Sequence, residues 1–249
     1  MSDRFAGKAT WFDAHYDTTR GRVRLALVLE RLRAALPPPP AKILDAGGGT
    51  GAFALPLAGD GYAVTVLDAS REWLEVARVR SEASGLTLDL LHGRLEDARE
   101  LVETGFDAVC CHGVLMYGTD PVGTLGILRS LAHERGVLSL LEKNQHGIAF
   151  RPGLQGDYAE ARRLLEASAS VGRLGIENRA YEPSVWENML VEGGWHLADW
   201  AGVRLFSDLA PDDLPDADFD ALLALERDAG VREPFRRVAR LIHLIASAS

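Results

Sequence analysis

The segment Ile43-Leu44-Asp45-Ala46-Gly47-Gly48-Gly49-Thr50-Gly51 sets a short apolar run directly before a cluster of four glycines. Glycine lets a chain turn tightly and bring its backbone against a ligand, so an apolar run ending this way predicts a strand, a ligand-approaching turn and a helix over 50–59. Glycine-rich turns are common, and a second residue narrows the reading. Asp68 follows the next predicted strand, Ala63 to Leu67, and stands 21 residues after Gly47. An acid at that distance, at the tip of the second strand, accepts hydrogen bonds from ribose hydroxyls. The plainer role for Asp68 is to cap a helix starting near Ser70. The dinucleotide pattern G-x-G-x-x-G is not matched, since the glycines stand at 47, 49 and 51 behind Asp45. No Gly-Lys-Ser/Thr follows, as a phosphate-binding P-loop requires.

Outward from this turn, strand and helix patterns alternate. Strands are expected at 43–45, 63–67, 86–91, 106–111 and 136–141, with helices at 70–84, 96–103 and 120–133 between them. Strands apolar on both faces and separated by helices imply a parallel sheet covered on both sides. Before the turn, Val23, Leu27, Val28, Leu32 and Leu36 repeat at near-helical spacing, and Pro37 to Pro40 end that helix. Residues 1–40 are therefore expected to form a helical lid on a main domain spanning 41–249. After Asn144 the pattern changes to a loop at 145–158, a helix at 158–170 and a helix at 183–192. Trp195 to Phe206 and Leu241 to Ala246 supply the last two strands, with a helix at 218–229 between them.

The 249 residues carry 47% hydrophobic side chains, enough for a full core without disulfides. Cys110 and Cys111 are adjacent inside an apolar run, which predicts buried thiols in a reducing compartment and a cytoplasmic protein. Met1 to Thr10 lacks the apolar run of a signal peptide, and no run of about 18 apolar residues suggests a membrane span. The net charge of −9 argues against broad, nonspecific nucleic-acid binding while leaving room for a local basic patch. The seven histidines are dispersed and no Cys/His spacing fits zinc, so no metal is expected. Oligomeric state is not legible.

The order Asp45-x-Gly47-x-Gly49-x-Gly51 resembles motif I of the Rossmann-like methyltransferases, whose loop wraps the amino-acid part of S-adenosylmethionine. Further segments resemble the bacterial tRNA 5-carboxymethoxyuridine methyltransferases: Tyr16 to Arg24, Leu44 to Gly49, Asn144-Gln145-His146-Gly147, and Gly202-Val203-Arg204-Leu205-Phe206 followed by Asp208. Glu233-Pro234 and Ile242-His243 also correspond, so the resemblance spans nearly the whole chain. It implies a Rossmann-like, seven-stranded, mostly parallel sheet with helices on both faces, an N-terminal helical lid and a helical insert after strand five, here 145–192, that selects the acceptor. It also implies that Arg24, Asp45, Gly47, Gly48, Gly49, Asp68, Leu95, Glu96 and His112 bind S-adenosylmethionine, with Leu95 and Glu96 bordering the adenine and His112 near the sulfonium or the acceptor. Independently, Arg24 suits a bidentate pair with a carboxylate. Its neighbours Arg20 and Arg22 read as a solvated helix face, and Glu96 and Asp97 as acids favouring a helix start. Two departures stand out. A run of lysines in the family is replaced here by Val171-Gly172-Arg173-Leu174-Gly175-Ile176, and Glu142-Lys143 stands where the family has aromatic residues.

Methyl transfer to a carboxylate needs no base, because that group is ionised at neutral pH. Arg204, Asn144 and His146 are then expected to orient the acceptor. A phenol, alcohol or amine acceptor would be served by His146 or His112 as base. The resemblance points to tRNA as acceptor and the acidic balance to a small metabolite. Tyr158 and Tyr181 of the insert are expected to offer stacking surfaces. A non-enzymatic cofactor-binding protein would instead keep Asn144, His146 and Arg204 away from the methyl group, and an NAD oxidoreductase would differ in cofactor.

Overall fold

The computed structural model describes residues 7–171 and 175–249. Along the chain run α1 (Ala9–His15), α2 (Thr19–Ala35), β1 (Lys42–Ala46), α3 (Ala54–Gly59), β2 (Ala63–Asp68), α4 (Arg71–Ala83), β3 (Asp89–His92), α5 (Ala98–Leu101), β4 (Phe106–His112), α6 (Pro121–Leu131) and β5 (Ala132–Lys143). There follow α7 (Phe150–Leu154), α8 (Tyr158–Glu166), β6 (Ala169–Val171), β7 (Glu177–Arg179), α9 (Pro183–Glu192), β8 (Trp195–Val203), α10 (Asp216–Gly230) and β9 (Leu241–Ala248). The main sheet has seven strands in the order β3-β2-β1-β4-β5-β9-β8, and β6 and β7 form a small antiparallel sheet of their own. The strands from β3 through β5 are parallel, and β9 alone runs against both of its neighbours. The sheet is thus the Rossmann-like, mostly parallel one expected, and its strand order reverses between β1 and β4, where such sheets open a crevice at their carboxyl ends.

Both faces are covered. One core layer packs Leu125, Leu128, Trp186 and Leu190 from α6 and α9 against Leu44, Val109 and Leu140 of the sheet. The other packs Val23, Leu27 and Leu32 of α2, Leu57 of α3, Leu74 of α4 and Phe219 of α10 against Ile43, Val64 and Ala108. Successive residues of a strand face opposite sides, so Cys110 joins the second layer and Cys111 the first, and both thiols are free. Helix starts follow local chemistry. Thr18 accepts from the Gly21 N–H at 3.3 Å to open α2, and Asp120 accepts from Gly123 at 2.8 Å with Pro121 in the first turn of α6.

Several expected boundaries move. The helix predicted from residue 50 begins at Ala54, because Gly51 adopts a positive φ of 75° and keeps 50–53 in a turn. Strand three starts at Asp89 rather than Leu86, whose N–H still returns to the Ser81 carbonyl at the exit of α4. The helix predicted over 158–170 stops at Glu166, and Ala169–Val171 instead pairs with Glu177–Arg179. The loop predicted over 145–158 holds α7. The strand predicted to Phe206 ends at Val203, because Arg204 turns to a φ of 66°. Two readings lie partly outside the described residues, that of Met1 to Thr10 over 1–6 and that of Val171 to Ile176 over 172–174. Residues 7–40 are joined to the sheet through α2, whose Val23, Val28 and Leu32 are fully buried against it. Among the described residues no helix is long and apolar enough to cross a membrane, and no three His, Cys, Asp or Glu side chains gather as a metal site.

Candidate active site

The glycine turn lies at the carboxyl end of β1, tied to the neighbouring strand by a 2.7 Å bond from the Gly47 N–H to the Leu67 carbonyl. Gly47 and Gly49 have positive φ values of 78° and 56°, a region costly for residues with a Cβ. A Cβ on Gly47 would stand 2.6 Å from Val114, and one on Gly49 2.6 Å from Trp73, so the cradle closes around bare backbone. Asp68, at the end of β2, accepts from the Gly49 N–H at 2.9 Å and from the Ser70 N–H at 2.8 Å. It therefore knits the turn to the start of α4.

Two charged groups beside this turn are buried and lack a matching partner. Asp45 is buried and its Oδ2 receives no hydrogen bond. Burial, with the Asp68 charge second, pushes its carboxyl up to about 7. The guanidinium of Arg24 lies 5.5 Å from the Tyr16 ring and 5.6 Å from the Phe53 ring, and its buried Nε has no acceptor. An unmatched acid and an unmatched guanidinium at one glycine cradle suit a zwitterionic amino-acid group, the ammonium toward Asp45 and the carboxylate toward Arg24. The residues present thus fit the amino-acid end of S-adenosylmethionine. Near the expected adenine border, Leu95 packs on the core layer beneath α6, whereas Glu96 is an exposed carboxylate paired with Arg94 at 2.9 Å.

His112 ends β4 as expected, but it is buried and engaged. Its Nε2 shares a 2.9 Å hydrogen bond with Ser139 Oγ, which in turn meets His243 Nε2 at 2.8 Å. Burial and the charge of Arg24 push the imidazole down to about 3, so it stays neutral and is a poor base at neutral pH.

Next to Arg24 a cleft opens, lined by six cations: Arg20, Arg24, Lys143, Arg151, Arg204 and Arg240. Phe12, His15, Met116 and Tyr117 also line it, and among the described residues no carboxylate does. Arg20, read from sequence as solvated, is buried and paired with Asp212 at 2.5 Å. Arg22 by contrast is part-exposed and lies over the Phe219 ring at 3.9 Å. Arg204 binds Asp208 through Nε and Nη2. Burial pushes the Asp208 carboxyl up, but the guanidiniums of Arg204 and Arg240 outweigh it and hold the group below its ordinary value.

Two buried glutamates set the loops at this cleft. Glu226 accepts from the N–H groups of Leu205, Phe206 and Ser207 at 2.8, 2.9 and 2.7 Å, fixing the chain just after Arg204. Glu142 accepts from Val114, Leu115 and Met116 at 3.1, 2.8 and 2.9 Å, fixing the chain after β4. Burial pushes its carboxyl up to about 8 against the opposing pull of those amides.

Of the three residues expected to orient the acceptor, only Arg204 lines the cleft. Asn144 donates to the carbonyls of Arg237 and Ala239, both at 2.8 Å, and accepts from the His146 N–H. His146 is part-exposed and lies 3.6 Å from Glu182. Neither is in the cleft wall, and the backbone bonds of Asn144 give it an anchoring role. Tyr158 is exposed on the surface, whereas Tyr181 packs edge-on against Trp186 at 5.3 Å. Arg151, Lys143, Arg240 and Tyr117 were not foreseen. The replacement of aromatic residues by Glu142-Lys143 was the one sequence signal pointing there.

Comparison with known proteins gives a consistent frame. A methyltransferase-domain family model matches residues 43–133. The chain is 31% identical over 239 residues to a tRNA 5-carboxymethoxyuridine methyltransferase of Escherichia coli, covering 93% of this chain and 90% of that protein. It is 32% identical over 163 residues to a ubiquinone biosynthesis O-methyltransferase of Xanthomonas axonopodis, covering 65% and 68% of the two chains. In fold it superposes on the magnesium protoporphyrin IX methyltransferase of Synechocystis with a TM-score of 0.65 at 18% identity, covering 99% and 98%.

Proposed function

The chain belongs to the S-adenosylmethionine-dependent methyltransferases, in the family of the bacterial tRNA 5-carboxymethoxyuridine methyltransferases, and we propose that it methylates a carboxylate, that of 5-carboxymethoxyuridine at the tRNA wobble position. The observation that carries the acceptor is the cleft beside the glycine cradle, which gathers five arginines, a lysine and, among the described residues, no carboxylate in a protein of net charge −9. A cation-lined cleft attracts and orients an anion, and it raises the local concentration of an anionic acceptor.

Bound at the cradle, S-adenosylmethionine would supply a methyl group on a positive sulfur, open to displacement by an ionised oxygen. What the chain contributes is alignment. Arg24 and Asp45 hold the amino-acid end, the glycine turn and Asp68 fix the cradle, and Arg204 orients the acceptor in the cleft. Positioning of this kind supplies much of the acceleration in a displacement with no proton to move. Two reduced, buried cysteines agree with residence in the cytoplasm.

A small anionic metabolite is the second reading, favoured by a single arginine in the stretch 171–176 where the family has several lysines. The test is methyl transfer from labelled S-adenosylmethionine to tRNA bearing 5-carboxymethoxyuridine, with unmodified tRNA as control. Incorporation into the modified tRNA alone, lost in Arg204→Ala, is the expected result. Retained S-adenosylhomocysteine binding without incorporation would refute the tRNA acceptor and leave the metabolite.

A further inference from the structure

Lys143 ends β5 and is the one lysine in the cleft wall. Only 9% of its surface is exposed. Its Nζ donates to Ser170 Oγ at 3.1 Å and to Asn178 Oδ1, on the two strands of the small β6–β7 sheet. Ser170 and Asn178 are themselves buried and bonded to each other at 3.0 Å, and the Asn178 amide donates to the Ile176 carbonyl. The small sheet thus builds a polar socket around one ammonium.

That socket is electrically incomplete. An ammonium has three donors, and among the described residues only the two neutral oxygens accept from it. No carboxylate bonds to it. The charged groups that face it are Arg240 and Arg204, which repel, and Asp208 and Glu142, which attract less strongly, with Asp208 already engaged by Arg204. A buried cation held by neutral groups and crowded by two guanidiniums is unfavourable until an anion joins it. Burial first, and the two arginines second, accordingly push Lys143 down to about 7.

We propose that Lys143, held by Ser170 and Asn178, is the seat of the acceptor's carboxylate and makes the site select the free acid over its methyl ester. The proposal rests on the carboxylate reading of the preceding subsection and deepens it. It also accounts for release of the product from the cleft. Esterification converts the anion into a neutral group, so the seat that holds the substrate has no charge to hold in the product. Because an anion stabilises the charged lysine, binding of the acid is strong below about pH 7 and weakens as the pH rises above it.

The experiment measures binding of 5-carboxymethoxyuridine and of its methyl ester to the full chain saturated with S-adenosylhomocysteine, alongside transfer to the modified tRNA. Wild type is expected to prefer the acid by about 10- to 100-fold at pH 6, the usual range for a hydrogen bond to a charged group, with the preference shrinking between pH 7 and 9. Lys143→Met is expected to lose most of that preference and all of its pH dependence, with S-adenosylhomocysteine affinity unchanged. Lys143→Arg is expected to keep the preference but lose its dependence on pH, and it decides the matter if the methionine variant does not fold. A preference retained in Lys143→Met, or a pH dependence unchanged in Lys143→Arg, overturns the seat while transfer to the tRNA leaves the function standing. A wild type that shows neither preference nor transfer overturns both.

Discussion

Glu226 accepts three consecutive backbone N–H groups while wholly buried, and the residue just before them, Arg204, is held at a φ of 66°. A non-glycine residue in that region stores on the order of 1 kcal/mol or more of strain and persists only where its surroundings over-determine it. Removing the carboxylate in Glu226→Ala strands three amide donors. Each buried donor without an acceptor costs about 1–3 kcal/mol, and water entering the vacated space recovers part, so a loss of about 3–5 kcal/mol is expected. Glu226→Gln keeps one oxygen. Placed where Oε1 stands, it retains Phe206 and Ser207 but sets its amide against the Leu205 N–H, for a loss of about 2 kcal/mol. Urea unfolding followed by far-UV circular dichroism reads both. In the folded glutamine variant the released loop lets Arg204 drift, so the acceptor KM rises while S-adenosylhomocysteine affinity holds. If both variants unfold within about 0.5 kcal/mol of wild type, the amide bonds do not carry the loop and the reasoning fails.

Gly49→Ala combines a φ of 56° with a Cβ only 2.6 Å from Trp73, whereas Gly85→Ala has a similar φ of 65° and open space. The first is expected to lose at least 10-fold in S-adenosylhomocysteine affinity by calorimetry and the second none; equal losses would show that strain, not the cradle, is at work. Arg24→Ala is expected to weaken S-adenosylhomocysteine binding roughly 10- to 100-fold, with Arg24→Lys recovering only part, since a lysine cannot form a bidentate pair. Full affinity in the alanine variant would remove Arg24 from the cofactor site. Asp45, raised from 3.8 to about 7, binds its proton more tightly when folded. Its linkage therefore makes the ligand-free protein lose stability as the pH rises from about 4 to about 7, by at most about 4 kcal/mol, and no further above that. Asp45→Asn is expected to be flatter over that window and more stable than wild type at pH 8. S-adenosylhomocysteine binding to wild type is expected to strengthen across the same rise in pH, as the ionised Asp45 meets the ligand ammonium. A wild-type profile parallel to that of the asparagine variant would contradict the buried, unpaired assignment of Asp45.

How much of this was legible in the sequence follows from the range of the interactions involved. The glycine turn and Asp68 are read from neighbours along the chain, and the structure places them at adjacent strand ends as their spacing requires. The sheet itself follows from apolar runs long enough to be covered on both faces. The acceptor side is different, because its parts meet only through long-range folding. Three successive residues at the end of β5 illustrate this. Glu142 reaches back 26 to 28 residues to the amides after β4, Lys143 reaches forward to the β6–β7 sheet, and Asn144 bonds carbonyls more than 90 residues away. Nothing local distinguishes the side chain that enters the cleft from the two that hold its walls. Asn144 stood out because it belongs to a motif, yet its amide anchors backbone. Lys143 broke the family pattern and lies in the wall. Arg20 was misread because a charged residue on a short helical repeat reads as solvated unless its distant partner, Asp212, is known. A motif residue can therefore owe its identity to the backbone it ties down, as Asn144 does, or to the cleft it lines, as Arg204 does, and only the long-range contacts tell the two apart.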